Sequence, residues 1–178
     1  MRKIVAGLHM SLDGVIESPE KWSFDYYCDE IGQSIKSRRD ATDTLLLGRT
    51  MYQEFAAIWP GQTGEVADFM NGTPKLVAST TLTSVDWAGS TLIDGDVVAA
   101  LTALKQQPGR NITITGSATL VRSLVRAGML DELHLTVCPI VLGSGKRLFD
   151  DTGGRVPLEL ADSQAFPTGV VHLTYQPA

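Results

Sequence analysis

Short apolar runs alternate with segments of helical spacing along most of the chain, and no internal repeat occurs. Residues 3–8, 44–47 and 75–78 are largely apolar runs, the pattern of strands that are buried on both faces of a sheet. Residues 111–115 predict a further strand after a helical segment. Strands that alternate with helices in this way predict a central sheet that is parallel or mixed.

Between the first three strands, the pattern predicts two helices and a loop. Helical spacing covers residues 24–39 and residues 50–58. Residues 59–73 predict a loop, because they contain helix-breaking residues at four positions: Pro60, Gly61, Gly64 and Gly72.

Two later helices carry recognisable signals at their ends. Asp94 or Asp96 can cap a helix that runs to about Gln107, where a Pro-Gly pair stops it. Ser117 offers an N-cap to the next helix, and Gly128 is its natural C-terminal stop. Both helices connect strands, as in successive βαβ units.

In the last third of the chain, the predicted strands show a different hydrophobic pattern. Apolar and polar residues alternate over residues 133–138 and again over residues 171–175, which indicates antiparallel strands. The predicted fold class is therefore α/β, with a central mixed, mainly parallel sheet, helices on both faces and an antiparallel C-terminal part. A length of 178 residues predicts one domain over residues 1–178.

Composition and charge narrow the classes of partner. Lysine and arginine total 15 against 20 aspartates and glutamates, and no long basic run occurs, which argues against nucleic acid as the main partner. The apolar runs are too short for a signal peptide or a membrane span, so we expect a cytoplasmic protein. Cys28 and Cys138 predict neither a disulfide framework nor a zinc site, and the spacing of His9, His134 and His172 predicts no metal.

The junction at residues 47–50 places a glycine, a cation and a hydroxyl group directly after a buried strand. The free N–H groups at a helix N-terminus favour an anion, so Gly48, Arg49 and Thr50 can hold a phosphate. A glycine turn with a solvated arginine and a helix cap explains the same residues equally well.

A second strand-to-helix junction covers residues 114–119. Its small residues, with Gly116 and Ser117 at the turn, allow a pyrophosphate to approach the backbone closely. It lacks the three glycines of a Rossmann fingerprint and the lysine of a phosphate loop. Ser117 as a simple helix cap is the alternative.

The third segment is the Asp13–Gly14 pair, which follows the first strand. A carboxylate beside a flexible glycine can orient a substrate or relay a proton. The same pair is also common in turns.

These segments, in this order, resemble the reductase-domain family of riboflavin biosynthesis and its dihydrofolate-reductase-like relatives. The similarity covers nearly the whole chain and is closest to short, stand-alone bacterial members. It rests on Ser-Leu-Asp-Gly at 11–14, Leu-Gly-Arg-Thr at 47–50, Val-Ala-Ser-Thr at 77–80 and the stretch at 116–149. The resemblance implies a three-layer dihydrofolate-reductase-like fold, NADPH as cofactor, and hydride transfer to a small pterin- or pyrimidine-like ring.

The resemblance also implies roles for individual residues. The contacts with NADPH would be made by Gly48, Arg49 and Thr50 at the phosphates, Ser79 and Thr80 at the adenosine 2′-phosphate, Gly116, Ser117, Ala118, Thr119 and Leu120 at the pyrophosphate and nicotinamide ribose, and Ala6 and Ile16 at the nicotinamide ring. Ala6 and Ile16 as ordinary core residues is the alternative.

The chain departs from the family at Thr115, where reductases of riboflavin synthesis typically carry a carboxylate. The substrate therefore stays open, and Asp13 becomes the candidate for relaying the proton. Asp13→Asn would then lower turnover about 100-fold. Four aromatic residues can form an aromatic wall for a planar substrate or a hydrophobic lid over the core: Trp22, Phe24, Tyr26 and Tyr27.

The resemblance further implies a homodimer that pairs through its sheets. Two other functions stay open for this chain. One is a non-catalytic module that keeps the nucleotide site for stability or regulation, and the other is a flavin-dependent oxidoreductase.

Overall fold

The computed structural model describes residues 1–149 and 154–178, and its strands form one eight-stranded sheet. The strands are β1 (Ile4–Ser11), β2 (Thr42–Gly48), β3 (Lys75–Ala78), β4 (Ser90–Leu92), β5 (Asn111–Thr115), β6 (Glu132–Cys138), β7 (Leu158–Ala165) and β8 (Val171–Pro177). The α-helices are α1 (Asp29–Asp40), α2 (Arg49–Ile58), α3 (Glu65–Gly72), α4 (Val97–Lys105) and α5 (Ala118–Arg126). Short 3₁₀ turns lie at Pro19–Lys21, Phe24–Tyr26 and Trp59–Gly61.

The order of the strands across the sheet is β4, β3, β2, β5, β1, β6, β8, β7. Neighbours from β4 to β6 are parallel, whereas β6, β8 and β7 are antiparallel to one another in turn. This confirms the predicted fold class. The antiparallel part begins one strand later than the alternation at 133–138 suggested, because β6 is still parallel to β1.

Helices cover both faces of the sheet. Leu46 of β2 packs in one cluster with Leu101 of α4 and Val121 of α5. Its neighbour Leu45 points to the opposite face and packs with Tyr52 of α2. This alternation follows from the period of two along a strand, and it explains why β2 is apolar at successive positions.

Two predicted segments are wrong in part. The loop predicted over residues 59–73 contains α3, which lies between Gly64 and Gly72; Gly64, with φ +105°, begins the helix rather than breaking it. The helix predicted over residues 24–39 is interrupted, because Tyr27 is extended (ψ 144°) between a 3₁₀ turn and α1.

The caps of the later helices differ from each other. Asp96 caps α4, as one of the two predicted candidates, since its side chain accepts a hydrogen bond from the N–H of Ala99 at 2.8 Å. Ser117 does occupy the N-cap position of α5, but its φ is +58° and its side chain makes no capping bond. Ser117 as a simple side-chain cap is therefore wrong.

Lys75, the first residue of β3, is almost completely buried, with 1% of its surface exposed. Its Nζ donates hydrogen bonds to the carbonyl oxygens of Asn71 (3.1 Å), Thr73 (2.8 Å) and Ala88 (3.1 Å). The same atom lies 4.2 Å from the ring centre of Trp87. Burial lowers the pKa of this lysine. The ammonium group joins the end of α3 to the segment that leads into β4.

Candidate functional site

The sheet brings the sequence-predicted segments to one edge. β3, β2, β5 and β1 are consecutive parallel neighbours, so their carboxyl ends lie side by side. Gly48 at the end of β2 is paired with Ala78 at the end of β3. The edge therefore presents, in spatial order, residues 79–80, residues 48–50, residues 116–120 and residues 11–16.

The helices that follow β2 and β5 leave the sheet on opposite faces. α2 packs with Leu45 and Leu47, whereas α5 packs with Leu46 and Ile114. In an open α/β sheet, such a reversal leaves a crevice at the carboxyl ends of the two strands, which is where ligands bind.

At this crevice the two junctions touch. A Cβ atom added to Gly48 would lie 2.5 Å from Oγ of Ser117, so a side chain at position 48 would have to displace this hydroxyl. The φ of Gly48 is −77°, which any residue can adopt, so close approach and not conformation requires glycine here. Gly116 has φ +72°, and a Cβ atom there would collide with Cε of Met51.

The N-termini of α2 and α5 both open into this crevice, and no described side chain caps either of them. Their first N–H groups lack partners within the helix and carry the positive end of the helix dipole. Arg49, Thr50 and Thr119 are exposed, Ala118 is buried and Leu120 is half-buried. Two helix N-termini in this arrangement can hold an anion through their backbone N–H groups.

The segment after β3 is a tight turn. The oxygen of Ser79 accepts hydrogen bonds from the N–H groups of Thr81 (3.2 Å) and Leu82 (3.0 Å). Thr80 is exposed beside it. Both predicted 2′-phosphate residues thus lie at the same edge as Gly48, with the Ser79 oxygen already engaged in the turn.

The two residues predicted at the nicotinamide ring differ in accessibility. The side chain of Ala6 is fully buried in the cluster under α4 and α5. Ile16 is half-buried, packs against that cluster, and donates its N–H to the carbonyl of Lys146 at 2.9 Å. Of the two, Ile16 offers a side-chain surface to a ligand.

Asp13 turns its carboxylate toward a neighbouring loop. Oδ1 accepts a hydrogen bond from the hydroxyl of Ser11 (2.7 Å) and from the N–H of Leu142 (3.1 Å), and Oδ2 accepts one from Gly143 (2.9 Å). Arg147 lies 3.8 Å from Oδ2. The Ser11 bond, followed by the two backbone bonds, lowers the pKa of Asp13 to about 2. The carboxylate is ionised at neutral pH and ties the loop after β6 to the loop after β1.

The histidines, which look scattered in the sequence, lie on the α1-facing side of three strands that adjoin in the sheet. His9 of β1 is level with Thr136 of β6, which is level with His172 of β8. His134 lies one row below, with Nδ1 3.3 Å from Nε2 of His172. Burial lowers the pKa values of His9 and His172 to about 4, and the nearby Arg38 adds to the effect. Alternation along the strands could have placed these side chains on one face, but only the strand order brings them together.

Within residues 1–149 and 154–178, no group of His, Cys, Asp or Glu residues is arranged to hold a metal ion. No helix in the same residues is both long enough and apolar enough to cross a membrane.

Comparison with known proteins agrees with this architecture. The family model of the RibD C-terminal domain matches residues 2–172. The uncharacterized Bacillus subtilis proteins YyaP and YwjB are similar over the whole length. YyaP is 28% identical over 98% of this chain and 94% of its own, and YwjB is 31% identical over 95% of both chains.

Two solved structures show the same fold. A protein from Shewanella sp. PV-4, provisionally assigned to riboflavin biosynthesis, aligns with a TM-score of 0.80 at 19% identity, covering 100% of this chain and 99% of that one. Dihydrofolate reductase from Enterococcus faecalis, complexed with NADP(H), aligns with a TM-score of 0.64 at 16% identity, covering 98% and 96%. The predicted dihydrofolate-reductase-like fold is confirmed.

Proposed function

Because the chain belongs to the RibD C-terminal domain family, we propose that it is a reductase that takes a hydride from NADPH and transfers it to a small pterin- or pyrimidine-like ring. A structure that shares the fold, with a TM-score of 0.69 at 14% identity over 99% of this chain and 57% of that one, is a Thermotoga maritima protein named as a diaminohydroxyphosphoribosylaminopyrimidine deaminase/5-amino-6-(5-phosphoribosylamino)uracil reductase. Hydride donation is the chemistry that NADPH supplies; the chain's part is to bind, orient and keep water out.

The observation that carries the proposal is the contact between the two junctions. Gly48 and Ser117 approach so closely that a single phosphate group could accept hydrogen bonds from the first N–H groups of both α2 and α5. With the pyrophosphate at these two helix N-termini, the adenosine would lie toward Ser79 and the nicotinamide toward Ile16. The residues present therefore fit a dinucleotide laid across β3, β2, β5 and β1 in that order.

The direct test is to titrate the protein with NADPH and with NADH, following the fluorescence of its three tryptophans. We expect tighter binding of NADPH, because Arg49 and Thr80 can hold the extra phosphate through charge-assisted hydrogen bonds. Arg49→Ala is expected to weaken NADPH binding about ten-fold and to leave NADH unchanged, since one hydrogen bond to a charged group contributes about 1.5 kcal/mol.

Arg110→Ala is the matched control, since Arg110 is exposed directly before β5, at the opposite end of that strand from Gly116. Equal losses for both cofactors in Arg49→Ala would show that Arg49 does not read the 2′-phosphate. An absence of binding at millimolar NADPH would refute the proposed reductase. Binding of NADPH without oxidation of it by any heterocycle would favour the non-catalytic module.

The proton that must follow the hydride comes from a carboxyl group or from a water that such a group orients. The proton-relay role of Asp13 stays a prediction. The contacts of Asp13 favour a role in positioning over direct donation of a proton. An aspartate whose pKa is about 2 holds no proton to donate at neutral pH. We therefore propose that Asp13 positions the loop at Leu142 and Gly143, and that the proton arrives through water.

Asp13→Asn separates these roles through the pH dependence of stability. The pKa of Asp13 is lower in the folded chain than its ordinary 3.8, so its contribution is complete above about pH 4 and is lost as pH falls toward 2. We expect Asp13→Asn to lower the melting temperature at pH 7 and to flatten the decline between pH 4 and 2. Asparagine also presents an amide N–H₂ to Leu142 or Gly143 where an acceptor is needed.

Asp25→Asn, at an exposed aspartate, is the control for the change of charge. An Asp13→Asn variant with unchanged melting temperature but turnover reduced 100-fold or more would instead support the proton relay, because that is roughly the contribution of general acid catalysis.

We further propose that the protein is a homodimer of single-domain chains in the cytoplasm, where Cys28 and Cys138 stay free thiols. β7 supports the dimer, because this edge strand is exposed along almost its whole length, with Leu160 53% exposed. Exposed edge strands of this length are normally covered. We expect light scattering at micromolar concentration to give twice the chain mass of 19.2 kDa.

Leu160→Glu is expected to shift that mass to the monomer, because it places a charge on the face of the edge strand. Val98→Glu, at an exposed apolar position on α4, is the control and should remain dimeric. A monomeric wild-type protein would exclude the dimer.

A further inference from the structure

The sheet has a polar surface where a buried face is normally apolar. We call it the polar floor: in one row it carries Thr115, Gly7, His134 and Thr174, and in the next row His9, Thr136 and His172. Residues paired across neighbouring strands share a face, so all these side chains point to the side on which α1 packs. Burying a polar group costs free energy unless the group is hydrogen-bonded, so each polar side chain of the floor is expected to have a partner.

Most of the polar floor satisfies itself. His134 is paired through Nε2 with Glu132 at 3.0 Å and through Nδ1 with Thr174 at 3.1 Å. His172 contacts Thr136 through Nδ1 at 3.3 Å, and its Nε2 lies 3.3 Å from Arg38. These groups form a connected network that maintains itself without a ligand.

His9 is the exception. Its Nε2 is 3.0 Å from the hydroxyl of Tyr27, but its Nδ1 is buried and has no hydrogen-bond partner among the described residues. Tyr27 keeps its proton at neutral pH, because burial raises its pKa to about 12, and His9 is neutral, with a pKa lowered to about 4. With the Tyr27 proton directed at Nε2, Nδ1 carries a hydrogen that has no acceptor.

The same face of β1 is uncovered at Gly7. A Cβ atom added to Gly7, two residues before His9 on the same face, would meet no atom within 4 Å. α1 packs farther along the sheet, where Ile31 contacts Cys138. Gly7 is paired with Thr115, which precedes the cofactor junction at Gly116, so the space adjoins the crevice proposed for NADPH.

We propose that His9, held by Tyr27, binds the substrate of the proposed reductase through Nδ1–H and selects a planar heterocycle with a ring carbonyl or ring nitrogen at that point. The inference rests on the proposed function and names its specificity residue. The rings of Phe24 and Tyr27, 5.4 Å apart, and of His9 and Tyr27, 5.6 Å apart, provide an aromatic wall for a flat ligand.

Two substitutions separate the two ring nitrogens. In His9→Asn the amide N–H₂ lies near the position of Nδ1, whereas in His9→Gln it reaches the position of Nε2. We expect His9→Asn to keep the binding of the substrate ring within about three-fold. We expect His9→Gln and His9→Phe to weaken it about ten-fold or more, as one lost hydrogen bond implies. Tyr27→Phe should weaken it too, since the imidazole loses its tether.

The probes are 5,6-diaminouracil and 7,8-dihydropterin, titrated by calorimetry into the protein with NADP⁺ and without it, so that no turnover occurs. In the wild type, the ¹⁵N resonance of His9 Nδ1 should shift when a probe binds. Thermal melts of every variant exclude misfolding as the cause of weaker binding.

Two outcomes overturn the inference: neither probe binds the wild-type protein, or His9→Asn and His9→Gln bind equally well. NADPH is titrated separately, without any probe, and that result alone decides the proposed function. A chain that binds NADPH normally while all His9 variants bind the probes like wild type thus refutes the role of His9 and leaves the reductase standing.

Discussion

Gly48→Ala is expected to weaken NADPH binding about 100-fold while changing the fold little. The added Cβ atom would lie 2.5 Å from Oγ of Ser117, so this hydroxyl must rotate away, and the methyl group then fills the gap between the N-termini of α2 and α5. A phosphate could then reach the N–H groups of one helix but not of both. Losing two hydrogen bonds to a charged group, at about 1.5 kcal/mol each, corresponds to a loss of that size.

Gly32→Ala is the matched control. Gly32 is exposed in the middle of α1, and a Cβ atom there would meet no atom within 4 Å. We expect it to leave NADPH affinity unchanged and to stabilise the protein by about 0.5–1 kcal/mol, through the higher helix propensity of alanine. If Gly48→Ala binds NADPH as tightly as the wild type, the phosphate is not shared by the N-termini of α2 and α5, and the dinucleotide must take another path.

Lys75→Met is expected to give the largest loss of stability, about 3–5 kcal/mol. Methionine fills a similar volume but donates no hydrogen bond, so the buried carbonyl oxygen of Thr73 and the partly buried ones of Asn71 and Ala88 lose their donor. Each unsatisfied buried acceptor costs about 1–3 kcal/mol. For a domain of this size, the melting temperature falls about 2–4 °C for each kcal/mol.

Urea unfolding, followed by tryptophan fluorescence, measures this loss. Lys36→Met is the control, because Lys36 is 53% exposed and its ion pairs with Asp40 and Glu65 lie at the surface. It should change the free energy of unfolding by less than about 0.5 kcal/mol. A loss below 1 kcal/mol for Lys75→Met would mean that the three carbonyls find water, and that the ammonium group does not hold α3 to the sheet.

The strands and junctions that local patterns define could be predicted from the sequence. β2 contains an apolar run and β5 alternates isoleucine with threonine, and each is followed within a few residues by a glycine and a helix. β7 escaped prediction because it is exposed almost throughout, so it shows no apolar alternation. α3 escaped because Gly64 and Gly72 mark its ends rather than a loop.

The candidate site also has features that the sequence predicts and features that only the fold reveals. Gly48 and Gly116 could be identified from the strand-to-helix pattern of the sequence, but the contact between the two junctions depends on β2 and β5 being neighbours in the sheet. Whether Asp13 donates a proton depends on Leu142 and Gly143, far along the chain, whose N–H groups lower its pKa. The unsatisfied Nδ1 of His9 depends on the fold around it, and no periodicity can reveal it.

The central place of the first strand has a consequence for synthesis on the ribosome. β1 leaves the ribosome first, yet its two neighbours in the sheet, β5 and β6, are made last but for the terminal hairpin. β2, β3 and β4 can pair among themselves as soon as they emerge. A nascent chain that ends before Asn111 therefore exposes an apolar β1 with no native partner, and its protection until then must come from chaperones or from rapid translation.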